Sequence, residues 1–138
     1  MTEEERIFRG ELFASEEPEL VEKKRRAHRL SQKYNETFED DAEVREAILR
    51  ELLGELGEGV CMLGPVRFHY GCHTRVGNHC FMNFNFTVQD DAPVTIGDHC
   101  NFGPNVTIVT PMHPMLPDER RGMVCDLSLI HISEPTRH

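Results

Sequence analysis

Apolar residues recur every six positions through the middle of this chain, and that spacing constrains its fold more than any other feature. Tyr70, Val76, Met82 and Val88 keep the beat, which resumes at Ile96, Phe102 and Ile108. Glycine follows at Gly71, Gly77, Gly97 and Gly103. A period of six matches neither the alternation of an amphipathic strand nor the ~3.6-residue turn of a helix. It is the period of a parallel β-helix, where each short strand is one side of a coil and its leading residue points inward.

A second inward position lies four residues after the first and must be slender: Thr74, Cys80, Cys100 and Val106, with Phe86 as the bulky exception. The glycine after each leading residue is expected to turn the corner where a Cβ would crowd. Three hexads close a coil, and coils stack at about 4.8 Å. Asp90-Asp91-Ala92-Pro93 shifts the phase by two residues and predicts a small outward loop there.

The first 57 residues read as helices. Ile7, Phe8, Leu12 and Phe13 make a short apolar face, and Ser15 is placed to cap a helix with Pro18 in its first turn. The inward face of that helix is expected to be Leu20, the stem of Lys24, Ala27, Leu30 or Ser31, and Tyr34. A following helix starts near Asp40 or Asp41, with Val44, Ile48, Leu52 and Leu56 inward and Gly57 as its stop. Gly57-Glu58-Gly59 then reads as a hinge into the repeat, which begins near residue 58. Such a helical block can plug the open end of a β-helix, where an uncapped coil exposes its backbone edge.

Composition narrows the function classes. The 138 residues suggest one domain with a small appendage, and the formal charge is −9. An acidic chain with a pI of about 5.3 lacks the basic footprint of a nucleic-acid binder. Lys23-Lys24-Arg25-Arg26 is flanked by glutamates and reads as a solvated helix face. No run of about 18 apolar residues suggests a membrane span, and the acidic N-terminus does not resemble a signal peptide, so the expected compartment is the cytoplasm. Five cysteines are not a disulfide framework. The Cys72-His73, His79-Cys80 and His99-Cys100 pairs invite a zinc reading, but sequence neighbours in a coil point to opposite sides, so no metal is expected.

Beyond the hexads, several segments fall at characteristic mutual spacings. They are Tyr34-Asn35, Tyr70-Gly71, Asn83-Phe84-Asn85, Asp90-Asp91, Val94-Thr95-Ile96-Gly97-Asp98 and Thr110-Pro111-Met112-His113-Pro114. From about Glu5 to Asp126 the chain resembles the maltose and galactoside O-acetyltransferases. That resemblance implies a mainly β fold, a left-handed parallel β-helix of hexapeptide repeats preceded by a small helical region. It also implies acetyl transfer from the cosubstrate acetyl-CoA to a sugar hydroxyl, in a homotrimer whose active sites lie between neighbouring prisms.

The roles implied are specific. His113, held between Pro111 and Pro114, is the general base, and a neutral imidazole has the pKa for that task. Asp91 corresponds to the acceptor-binding aspartate, and Asn83 to a position at the acetyl-CoA end of the site. Ser15 stands where the galactoside enzyme has an acceptor-binding aspartate, His69 where relatives have serine or aspartate, and Phe81 where the galactoside enzyme has tyrosine. Two other readings are a non-catalytic fragment of a β-helix and a related acetyltransferase with a non-sugar acceptor. Residues 127–138 keep no hexad phase, and Leu127 to Arg137 match the translation of a transposase adapter used in sequencing libraries. The expected organisation is therefore a helical region over 1–57, a partial β-helix over 58–126 with the remaining cofactor coils missing, and an extraneous tail. A chain so shortened is expected to be inactive.

Overall fold

The computed structural model describes residues 13–14, 17–112, 124–127 and 130–132, with side chains described over 17–110. Two helices, α1 (Pro18–Asn35) and α2 (Ala42–Leu52), precede a stack of short strands. β1 (Phe13–Ala14) lies ahead of α1. The first coil comprises β2 (Glu55–Leu56), β3 (Cys61–Met62) and β4 (Val66–Phe68). The second has β5 (Thr74–Val76), β6 (Phe81–Met82) and β7 (Phe86–Gln89). The third has β8 (Val94–Ile96), β9 (Asn101–Phe102) and β10 (Thr107–Val109). Each strand pairs in parallel with its equivalent one coil away, giving three sheets around a prism. The chain therefore forms the parallel β-helix that the six-residue period predicts.

The register corrects the phase. Cys61 pairs with Phe81, which pairs with Asn101, so each coil takes 20 residues, three hexads and two more. The leading inward triads are Leu56, Met62 and Phe68, then Val76, Met82 and Val88, then Ile96, Phe102 and Ile108. The two-residue addition therefore occurs in every coil, not only at Asp90-Asp91. Tyr70 lies in the first of these corners, and its distance of six from Val76 is coincidental.

Corner chemistry also differs from expectation. The non-glycine residues with left-handed φ are His79, Asn85, His99 and Asn105, three places after Val76, Met82, Ile96 and Phe102; Gly59 and Gly71 take the same conformation three places after Leu56 and Phe68. Asparagine and histidine tolerate that region better than most side chains. Gly77 is needed for another reason: a Cβ there would come within 2.5 Å of the Asp98 carboxylate and 2.8 Å of Gly97 in the next coil. This also explains the His-Cys pairs. Cys80 and Cys100 are buried, while His79 and His99 stack on the exposed corner with centroids 5.4 Å apart. Among the described residues no group of three or more His, Cys, Asp or Glu is placed to hold a metal.

α1 buries the face read from its sequence, with Leu20, Ala27, Leu30, Ser31 and Tyr34 against the prism. Glu17 caps it, its carboxylate accepting from the Glu19 and Leu20 amides, whereas Ser15 lies outside the described residues. The register of α2 departs from the four-residue rhythm. Ile48, Leu49, Leu52 and Leu53 are buried, while Val44 is 53% exposed. The helix stops at Leu52, because Leu53 turns extended and Leu56 already belongs to β2, paired with β5. Gly57 consequently lies within the first coil, packed on Gly77, and is no hinge.

The helices cover the open edge of the first coil by direct bonding to its backbone. Asn35 Oδ1 accepts from the Val66 amide at 2.7 Å, and its Nδ2 donates to the Val66 carbonyl at 2.9 Å. Ser31 Oγ accepts from the Phe68 amide, and the Tyr34 hydroxyl donates to the Met62 carbonyl at 2.6 Å. Arg45 from α2 lies 4.8 Å from the Tyr34 ring centroid and donates to the Met62 and Leu63 carbonyls.

Beyond the third coil, β11 (Pro111–Met112) and β12 (Val124–Leu127) pair antiparallel, and β12 also pairs with β1. The tail set aside on sequence grounds contributes β13 (Ile130–Ile132), parallel to β8. Its Ile-His-Ile alternation fits the pleat that any edge strand offers. No helix among the described residues is long and apolar enough to cross a membrane.

Asn35→Ala removes both bonds to a fully buried strand residue. It should destabilise the fold by about 1–3 kcal/mol, the usual effect of orphaning buried backbone groups. Phe38→Ala, at a residue 73% exposed, should change stability by less than about 0.5 kcal/mol. Urea unfolding of the two variants measures the difference.

Candidate active site

The two-residue addition to each coil builds the corner where the predicted acceptor residues meet. After β4 the chain passes through His69-Tyr70-Gly71-Cys72-His73, and one coil later through Asp90-Asp91-Ala92-Pro93. Asp90 joins the two turns. One carboxylate oxygen accepts from the Tyr70 amide at 2.7 Å and the other from the Thr74 hydroxyl at 2.7 Å. His73 Nδ1 lies 2.8 Å from the Asp90 carbonyl, which can only accept, so Nδ1 carries the proton. Burial drives the Asp90 carboxyl above its ordinary pKa, outweighing the stabilisation from its donors. Thr110 repeats the device one coil on. Its hydroxyl donates to the Gln89 carbonyl at 2.7 Å and accepts from the Ala92 amide at 3.0 Å.

This framework fixes Asp91, which is 6% exposed, beside His69. His69 Nε2 lies 3.9 Å from Asp91 Oδ1, too far for a direct hydrogen bond. Burial lowers the His69 pKa, and the neighbouring Lys24 ammonium and His28 ring lower it further. The imidazole is therefore mainly neutral at pH 7 and can both donate and accept. His28 meets the His69 ring edge-on at 5.6 Å, and Tyr70 stacks on His73 at 4.5 Å. Lys24 reaches over the Tyr70 ring with its ammonium 5.9 Å from the centroid.

The other predicted residues are distributed differently. Asn83 follows β6, on another sheet from β4 and β7. Its carboxamide oxygen accepts from the Phe84 amide at 2.8 Å, and its own amide donates to Phe102 in the next coil. Phe81 pairs with Cys61 and Asn101 on that same sheet. His113 and Ser15 lie outside the described residues.

Sequence reading missed Asp90 and His73 as the braces of the corner, and gave Lys24 only an aliphatic role. The signal was available in the 20-residue register: it places Asp90 level with Tyr70, at a position that the coil above and the coil below cover. Burying a carboxylate there requires donors, and the Tyr70 amide and the Thr74 hydroxyl supply them.

Comparison with known proteins is consistent in fold and sequence. Residues 6–57 match the maltose acetyltransferase hexapeptide capping motif. Nodulation protein L of Rhizobium meliloti (strain 1021) is 38% identical over 121 residues, which cover 88% of this chain and 66% of that protein. The crystal structure of a maltose O-acetyltransferase from Clostridium difficile 630 superimposes with a TM-score of 0.89 at 32% identity, covering 94% of this chain and 69% of that one. A galactoside acetyltransferase in complex with coenzyme A gives a TM-score of 0.89 at 34% identity, covering 97% and 67%. The chain thus spans about two thirds of the length of these proteins, and 58% of the galactoside O-acetyltransferase of Escherichia coli (strain K12), which it matches at 36% identity. With the helical cap, the hexad coils and these similarities together, the chain belongs to the maltose and galactoside O-acetyltransferase family of hexapeptide-repeat proteins.

Proposed function

We propose that this protein transfers an acetyl group from acetyl-CoA to a hydroxyl of a sugar, with His113 as general base. The observation that carries the reading is the match, over nearly the whole chain, to a galactoside acetyltransferase bound to coenzyme A. The described corner is chemically suited to the acceptor. Asp91 is a fixed carboxylate able to take paired hydrogen bonds from vicinal hydroxyls, and the largely neutral His69 offers both a donor and an acceptor. By family correspondence Ser15 offers a hydroxyl where the galactoside enzyme has an acceptor-binding aspartate.

A thioester is already activated, so the hydroxyl chiefly needs its proton removed. His113 takes that proton as the oxygen attacks the thioester carbonyl. The tetrahedral intermediate collapses with cleavage of the carbon–sulfur bond, and the imidazolium returns the proton to the departing thiolate. Asn83, carried on a different sheet from Asp91, contributes to the acetyl-CoA side from a neighbouring prism. The working assembly is accordingly a homotrimer.

The test uses a chimaera in which residues 1–126 are continued by the C-terminal third of a galactoside acetyltransferase. His113→Ala should lower kcat for acetylation of a glucosyl or galactosyl acceptor by about 10²–10⁴, while acetyl-CoA binding barely changes. Asp91→Ala should act chiefly by raising the KM for the acceptor. Undiminished kcat in the His113 variant would remove the base from the scheme. Sedimentation of the same chimaera at micromolar concentration should give a trimer, and a monomer there would refute the shared site.

A further inference from the structure

A cleft of about 440 Å³ opens between α1 and the outer face of the β4–β7 sheet, continuous with the acceptor corner through His69. Its ionisable lining is one-sided: His28 from α1, and Arg67 and His69 from the sheet side, with no carboxylate among the described lining residues. In a chain of net charge −9 this is a local reversal of sign. Arg67 is exposed on the sheet side, in register with Thr87, and makes no ion pair among the described residues, so its five donors are available to a ligand. Gln32 from α1 and Thr87 and Gln89 from β7 supply neutral hydrogen-bonding groups around it. The charged and titratable groups that face His69 are Lys24 and His28 of α1 and the aspartates Asp90 and Asp91 of the corner. The aspartates are buried on the corner side, whereas Lys24 and His28 approach from the helix.

We propose that this cleft binds an anionic group, a phosphate or carboxylate, carried on the sugar acceptor, with Arg67 as its principal partner. The proposal rests on the acetyl-transfer reading only for the word acceptor; the anion site itself stands on the lining of the cleft. Guanidinium forms paired charge-assisted bonds to either anion, and the hydroxyls of the same sugar would then face Asp91. An anion seated there also favours protonation of His69, adding charge as it binds.

Calorimetry on the 138-residue chain should show glucose 6-phosphate or glucuronate binding at least about tenfold more tightly than glucose. Arg67→Gln should remove that preference, whereas Arg75→Gln, on the outer face of β5, should not. NMR titration of the imidazoles should show the His69 pKa rising when glucose 6-phosphate is present and unmoved by glucose. Coenzyme A, which also carries phosphate, should fail to displace glucose 6-phosphate; displacement would assign the cleft to the donor and overturn the proposal. Equal affinity for glucose, or full retention in Arg67→Gln, would overturn it as well. Acetylation of neutral galactosides by the chimaera without any anion preference would sink this inference and leave the acetyl-transfer reading intact. Anion binding without acetylation would do the reverse.

Discussion

The fold depends on how its first coil is closed. A stack of parallel coils hydrogen-bonds internally at every level but its ends, where a full layer of amides and carbonyls faces outward. Here one carboxamide substitutes for the missing strand: Asn35 both accepts from and donates to Val66, as a neighbouring residue in a ladder would. Ser31 and Tyr34, four and one residues earlier on the same helix, satisfy Phe68 and Met62. A helix advances about 1.5 Å per residue, so Ser31 and Asn35 stand about 6 Å apart along its axis. That approximates the span between alternate residues of a strand, about 6.6 Å, and these are the amides of Val66 and Phe68. One helical face is thereby matched to one strand edge, and the apolar residues between the polar contacts seal the end of the core.

Above that cap, the repeat transmits position with little freedom. Gly57, Gly77 and Gly97 lie in one column with backbone so close that a Cβ at Gly57 or Gly77 would collide with the next coil. Asn85 and Asn105 bond side chain to side chain at 2.9 Å, while His79 and His99 stack. Every corner is therefore held against the one above it. The one corner with two additional residues is also where polar groups enter the interior, braced by Asp90 and Thr110. Asp91 inherits a fixed position from its neighbour, so its carboxylate is held without further ordering, as the proposed acceptor role requires.

Much of the architecture was legible because the six-residue period is long-range order written locally. Val76, Ile96, Phe102 and Ile108 needed only counting, and the α1 face needed only the helical spacing. What escaped was set by register, which no single coil displays. Tyr70 sits six residues before Val76 and passes as a leading residue until Phe68 is seen stacked beneath Val88. The α2 face was misread because Leu56 keeps the four-residue rhythm although it is already strand. Gly71 does turn its corner with a left-handed φ, but Gly77 was credited with a turn made by His79, because tight coil stacking and left-handed φ both select small or special residues. At the site, Asp91 and His69 were visible as residue types, but the brace of Asp90 on Tyr70 and Thr74 depends on which residue lies 20 positions away.

The same register explains why the face beside the Asp90-Asp91 corner can differ in charge from the rest of the chain. Outward residues of β4 and β7 alternate with the buried ones, so Arg67, His69, Thr87 and Gln89 share one face without disturbing Val66, Phe68, Phe86 and Val88 behind them. The core constrains one residue in two, leaving the alternate positions to chemistry. α1 runs across that face because its own buried side is committed to the cap, and this brings His28 and Gln32 to the rim. Closure of the coil stack and assembly of the cleft are thus two consequences of a single helix placement. A change that shifted α1 by one turn would cost the edge bonds of Asn35 as well as the charge complement of the site.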